Sequence, residues 1–212
     1  MRNTLTQKQK TLRMVQLAML VALVVVLQII STLLPVLPGG VAITLTLFPV
    51  VIGGILLGKK GGFILGLAFG LIVMINVATG LDKGSVVLWN ESALSTAIIC
   101  IVKGVAAGFI PAVLYELIVG KSGVNSVKPT RKFIATLVAA LSAPIVNTAL
   151  YLAGMWILFI DLASSVGTNF IAYALVVFAT ANFAVEFIIN IVLTPAIVRI
   201  VDVTKTKVKY FI

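Results

Sequence analysis

Six stretches of this chain are too long and too apolar to face water: about 14–34, 41–58, 61–78, 93–119, 133–160 and 170–201. One bilayer crossing needs about 20 largely apolar residues, so each stretch is a candidate span. The first, second, third and fifth carry no charged side chain at all. Across the whole chain 61% of residues are hydrophobic and only 10% charged, whereas a soluble domain has about 25% charged residues. Lipid is therefore the solvent for most of the chain, and 212 residues leave no room for a large extramembrane domain. The expected fold is an all-α integral membrane protein, a single six-helix bundle forming one domain over 1–212.

The connectors place those helices relative to the membrane. Four Lys or Arg precede the first run (Arg2, Lys8, Lys10, Arg13), and two sit at the Lys59-Lys60 turn. Four more lie in the connector 120–132 (Lys121, Lys128, Arg131, Lys132), and four in the end of the chain (Arg199, Lys205, Lys207, Lys209). With six spans, all of these fall on one face, while the opposite face has Lys83 alone and Lys103 lies inside the fourth span. Cytoplasmic loops carry the excess of Lys and Arg, so both termini are expected inside. The net charge of +10 is then a topological signal and implies no nucleic acid.

Several chemistries are excluded early. With no histidine and one cysteine, Cys100, the chain lacks the clustered ligands of zinc, haem or iron–sulfur sites and cannot form an internal disulfide. Gly53-x-x-x-x-Gly58-Lys59 imitates a phosphate-binding loop, but Lys60 stands where Ser or Thr would hold magnesium, and an apolar span precedes it. The sequon Asn90-Glu91-Ser92 abuts a span and is incidental. The first apolar run is too long for a secretory signal and has no small-x-small cleavage site, so it reads as a retained helix. No nucleophile–base pair with defined spacing appears, so an enzyme is not supported.

Polar groups inside the spans are the informative ones, because an ionisable side chain at a helix centre costs about 2.5–3.5 kcal/mol on insertion scales. Lys103 lies ten residues into the fourth span, roughly 15 Å along its axis at 1.5 Å per residue. Asn182, Glu186 and Asn190 share a face of the sixth, spaced by four, and Asn147 and Tyr151 repeat that spacing in the fifth. These stripes converge on a pocket for a small polar molecule with a carboxylate. Lys103 is expected to meet the anionic end, Asn147, Tyr151 and Asn182 to add hydrogen bonds, and Trp89 and Asn90, in the outward connector 79–92, to cap it. A structural pairing of Lys103 with Glu186 is the alternative. Small residues recur every four positions at Ala18 and Ala22, Gly58 to Gly70, Gly104 and Gly108, and Ala135 to Ala143, where helices can approach closely.

Three segments together resemble a known family. Ile43-Thr-Leu-Thr-Leu-Phe-Pro49 through Gly58-Lys-Lys-Gly61 looks like the second-to-third-helix region of the substrate-binding S components of energy-coupling factor (ECF) vitamin transporters. Lys103-Gly104-Val-Ala-Ala-Gly108 is similar to their fourth-helix signature, and Asn182-Phe183-Ala-Val-Glu186 onward to Pro195-Ala196 to their last helix. The resemblance implies a six-helix subunit of a prokaryotic plasma membrane that takes a vitamin from outside and reorients to release it inside. Partners would be a transmembrane T component and two cytoplasmic ATPases, with no cofactor of its own. It further implies that Ala18-Met-Leu-Val-Ala22 is the strip that docks on the T component. Overall similarity leans to pantothenate-type members, with folate and riboflavin as other candidates; a ligand-free accessory protein and an oligomeric channel are the readings from other classes.

Overall fold

The computed structural model describes residues 7–33, 45–82, 85–120, 127–166, 169 and 181–210. Among these it contains seven helices and no strand. They are α1 (Gln7–Leu33), α2 (Leu47–Ala78), α3 (Val86–Glu91), α4 (Ala93–Val119), α5 (Pro129–Leu158), α6 (Ile160–Val166) and α7 (Ala181–Tyr210). By length and apolar character α1, α2, α4, α5 and α7 can each cross a membrane, which makes five candidate spans.

The second and third expected runs form one helical element, and the reason lies at Gly58. Its φ of 75° and ψ of −168° interrupt α2, a conformation glycine adopts without a Cβ penalty. Beyond it the chain doubles back. A Cβ built on Gly61 would lie 3.3 Å from the Gly53 carbonyl oxygen, whereas eight residues of straight helix separate their ends by about 12 Å. Both arms of α2 reach the same point of α4, because Cβ atoms on Gly54 and on Gly62 would each meet the Gly108 carbonyl.

That contact with α4 is the centre of the molecule. A Cβ on Gly70 would lie 2.7 Å from the Cys100 carbonyl oxygen, and one on Gly104 would lie 2.7 Å from the Gly66 carbonyl oxygen. Backbones this close exclude any side chain between them, and the small-residue rows of the sequence are what make the approach possible. α5 packs on the other side of α4, α7 lies along α5 and touches α2, and α1 leans on α2. The buried core runs through these helices at Val24, Val51, Leu65, Phe69, Ala107, Ala139 and Ile197.

Local signals set several helix ends. Ser92 caps α4 by accepting the Ser95 amide at 3.4 Å, and Pro129 stands in the first turn of α5, where its missing N–H costs nothing. Other boundaries depart from expectation. The polar connectors 79–92 and 161–169 hold α3 and most of α6. α1 begins at Gln7, before residue 14, and α7 runs to Tyr210, past residue 201. Residues 170–180, the start of the sixth expected run, lie outside the described residues. These helix ends project beyond the apolar stretch because polar residues also form helix once a span has nucleated it.

Two ion pairs tie helix ends at the basic face: Lys59 to Glu116 at 3.2 Å and Lys132 to Asp202 at 2.9 Å. The second joins the start of α5 to the end of α7, so these helices run antiparallel. A buried bond, Thr46 Oγ1 donating to Gln28 Oε1 at 2.8 Å, anchors α1 to the start of α2. Otherwise α1 is loosely held, with 17% of its apolar window buried. Ala18 and Ala22 are both exposed on it.

Candidate functional site

Helices α2, α3, α4 and α5 enclose a recess at the end opposite the ion pairs. It holds about 260 Å³ of space, part of it open to the outside. Val73 and Val77 of α2 form one wall, and Thr96, Ile99, Cys100 and Lys103 of α4 form another. Tyr151 of α5 closes the third side, with Ser85 and Leu88 at the mouth. The walls are therefore mostly carbon, with hydroxyls at Ser85, Thr96 and Tyr151, the thiol of Cys100 and a single ammonium.

That ammonium has a defined position. Lys103 Nζ stands 5.1 Å from the centre of the Tyr151 ring, within the range of a cation–π contact. The register follows from packing beside it, since a Cβ on Gly154 would run into Ile99. One turn of α4 on from Ile99 brings Lys103 against Tyr151, one turn of α5 back from Gly154. A ring face attracts the cation but leaves all three N–H donors available, so an anion can be added without breaking the contact.

The other expected site residues are distributed unevenly. Asn147, one turn from Tyr151 on α5, is buried at 8% exposure, and its Oδ1 has no hydrogen-bond partner among the described residues. Glu186 is buried at 2% exposure on α7; the contact Lys103 makes is with Tyr151 and not with this carboxylate. Trp89 is half-buried against the main core, and its neighbour Leu88 lines the recess instead. Asn90 is exposed. In a helix one residue's step turns the side chain by 100°, which is why Leu88 and Trp89 exchange the expected roles. The Asn182 side chain lies outside the described residues.

Sequence reasoning overlooked most of the wall. Val73, Val77 and Ile99 are indistinguishable by composition from lipid-facing neighbours, and nothing local marks them. Outside that lining, Asn76 did carry a signal, as a lone polar residue in an apolar run. Thr96 is 2% exposed and donates to the Ser92 carbonyl at 2.9 Å. Asn76 is 8% exposed, and its Nδ2 has no partner among the described residues.

The long apolar helices around this small, cation-bearing recess are those of a multi-pass membrane protein, all-helical among the described residues. The sequence matches the family described as ECF transporter, substrate-specific component, over residues 12–198, and the chain belongs to that family. Members are binding subunits of transporters rather than catalysts. No curated protein matches the chain.

Proposed function

We propose that the protein captures a small carboxylate-bearing vitamin, pantothenate being the best candidate, and delivers it inward by reorienting with a T component and two ATPases. The observation that carries this reading is the Lys103 ammonium poised on Tyr151 in a recess whose other lining side chains carry no formal charge. A cation at this depth is expensive unless water or a counter-charge satisfies it, and a ligand carboxylate supplies one. Folate and riboflavin are the other candidates.

In this reading Asn147 and Tyr151 offer hydrogen bonds to the ligand's polar groups, and Asn182 and Glu186 are the further candidates for contact with it. Trp89 and Asn90 act from the rim. The two arms of α2 cross the membrane separately, giving six crossings with both termini inside, which the closeness of Gly53 to Gly61 supports. The exposed Ala18 and Ala22 strip of α1 receives the T component.

Calorimetry with a panel of vitamins on the purified protein tests the assignment. Losing a charge-assisted hydrogen bond costs about 1.5–3 kcal/mol, and each 1.4 kcal/mol is tenfold. Lys103→Met should therefore weaken binding of the acidic vitamin by roughly ten- to a hundredfold, and Asn147→Ala should weaken it less. Folded variants that bind every vitamin as the parent does would eliminate this site.

A further inference from the structure

Gly154 stands about one turn before the end of α5, and its backbone gives no reason for a glycine. It is helical, and the positive-φ glycines among the described residues are Gly58, Gly80 and Gly120. A glycine inside a helix is less favourable than an alanine, and the small residues buried earlier in α5 are alanines, at Ala135, Ala139, Ala140 and Ala143. What calls for glycine at 154 is space.

One side chain occupies that space. A Cβ on Gly154 would lie 2.6 Å from Ile99 Cγ1, 2.9 Å from its Cδ1 and 3.5 Å from its Cγ2. Where α2 meets α4, the atoms facing Gly66, Gly70 and Gly104 are backbone and hold their place. Here they are the branches of a single residue, so an added methyl displaces a side chain before it displaces a helix. Ile99 lies back against the bare backbone of α5, in the gap where a Cβ would stand.

The consequence depends on where Ile99 can go. It is buried in a cluster with Leu88, Leu152, Met155 and Phe159. Protein interiors are packed as densely as organic crystals, so these neighbours offer it no free volume. The unfilled space beside Ile99 is the recess, which it lines together with Cys100 and Tyr151. Branch atoms pushed off Gly154 take volume from that recess.

We propose that Gly154 sets the width of the recess, and so the size of the group it admits, by letting Ile99 lie back against α5. Gly154 is a positioning residue that acts through Ile99. As a determinant of vitamin choice it rests on the reading of the recess as the vitamin site, but its effect on the width of the recess does not.

Cys100 supplies the gauge, being the one cysteine of the chain and part of the same wall. Methyl and benzyl methanethiosulfonate both transfer their alkylthio group to a thiolate, forming a mixed disulfide and releasing methanesulfinate, and they differ in bulk. The ratio of their rates reports access and cancels any change in the thiolate fraction. In the purified full-length protein, Gly154→Ala should lower the benzyl-to-methyl ratio by about tenfold, the scale of a forced close contact. Ile99→Ala added to that variant should restore the ratio, which a merely structural role of Gly154 does not predict. If Gly154→Ala does not fold, the comparison is made in an Ile99→Val background, which lacks the Cδ1 methyl; the ratio should still fall. An unchanged or raised ratio, or a fall that Ile99→Ala does not reverse, would overturn the proposal. So would a Cys100 that neither reagent reaches in the parent, since the recess would then not open on this wall. The vitamin panel is read separately: a parent that binds no vitamin sinks the functional reading, while the rate ratio still decides the role of Gly154.

Discussion

Adding a single methyl group at Gly104 probes the contact on which the whole bundle rests. A Cβ there would stand 2.7 Å from the Gly66 carbonyl oxygen, 2.7 Å from Gly70 Cα and 2.8 Å from Gly70 N. Ordinary contact begins near 3.4 Å, so α4 must move away from α2 by about 0.7 Å at this point. The atoms struck are all backbone and cannot rotate aside. A gap of 0.5–1 Å already forfeits a quarter to a half of each dispersion contact across an interface, and forced overpacking costs about 1–3 kcal/mol. With rigid neighbours the upper half of that range applies: about 2–3 kcal/mol, or roughly a 30- to 150-fold fall in the folded-to-unfolded ratio. Reversible unfolding in mixed micelles, followed by circular dichroism, measures it. Ala184→Val, on the exposed side of α7, serves as the control for added apolar volume and should stay within about 0.5 kcal/mol of the parent. If Gly104→Ala is as harmless as that control, the helices are not in backbone contact and the argument for the centre of the fold is wrong.

Orientation is open to a labelling experiment in intact cells: with single cysteines at Ser85, Gly123 or Thr206 in a Cys100→Ser background, an impermeant thiol reagent should reach position 85 alone. Reaction at 123 or 206 would reverse or break the six-crossing arrangement. Ala18→Trp and Ala22→Trp should abolish uptake by a reconstituted transporter while leaving the affinity of the isolated subunit unchanged, since both positions are exposed on a loosely held helix. A parallel loss of affinity would place that strip inside the protein.

How much of this was legible beforehand follows the range of the forces involved. Hydropathy and the distribution of Lys and Arg are properties of segments, so the apolar runs, the all-helical class and the crowding of basic residues at one face could be read directly. So could the rows of small residues, because close-packing motifs act within a few positions of themselves. The resemblance that pointed to the transporter family was likewise carried by contiguous segments, and the match over residues 12–198 is its counterpart.

Neighbourhood was not written in any segment. Periodicity says that Lys103, Asn147 and Glu186 each turn a polar face inward, but not which face meets which. Only the packing of Ile99 on Gly154 puts Lys103 on Tyr151 and leaves Glu186 on another helix contact. The turn at Lys59-Lys60 was legible as the break between two apolar runs, but the contact of both arms with Gly108 of α4 is written in neither run. The six-residue α3 is too short to be stable alone. It forms because α4 lies beneath it, and that support turns Leu88 rather than Trp89 into the recess. A sequence fixes the propensity of each helix and the chemistry of its faces; the pairing of those faces is a many-body outcome of close packing, and so belongs to the tertiary structure.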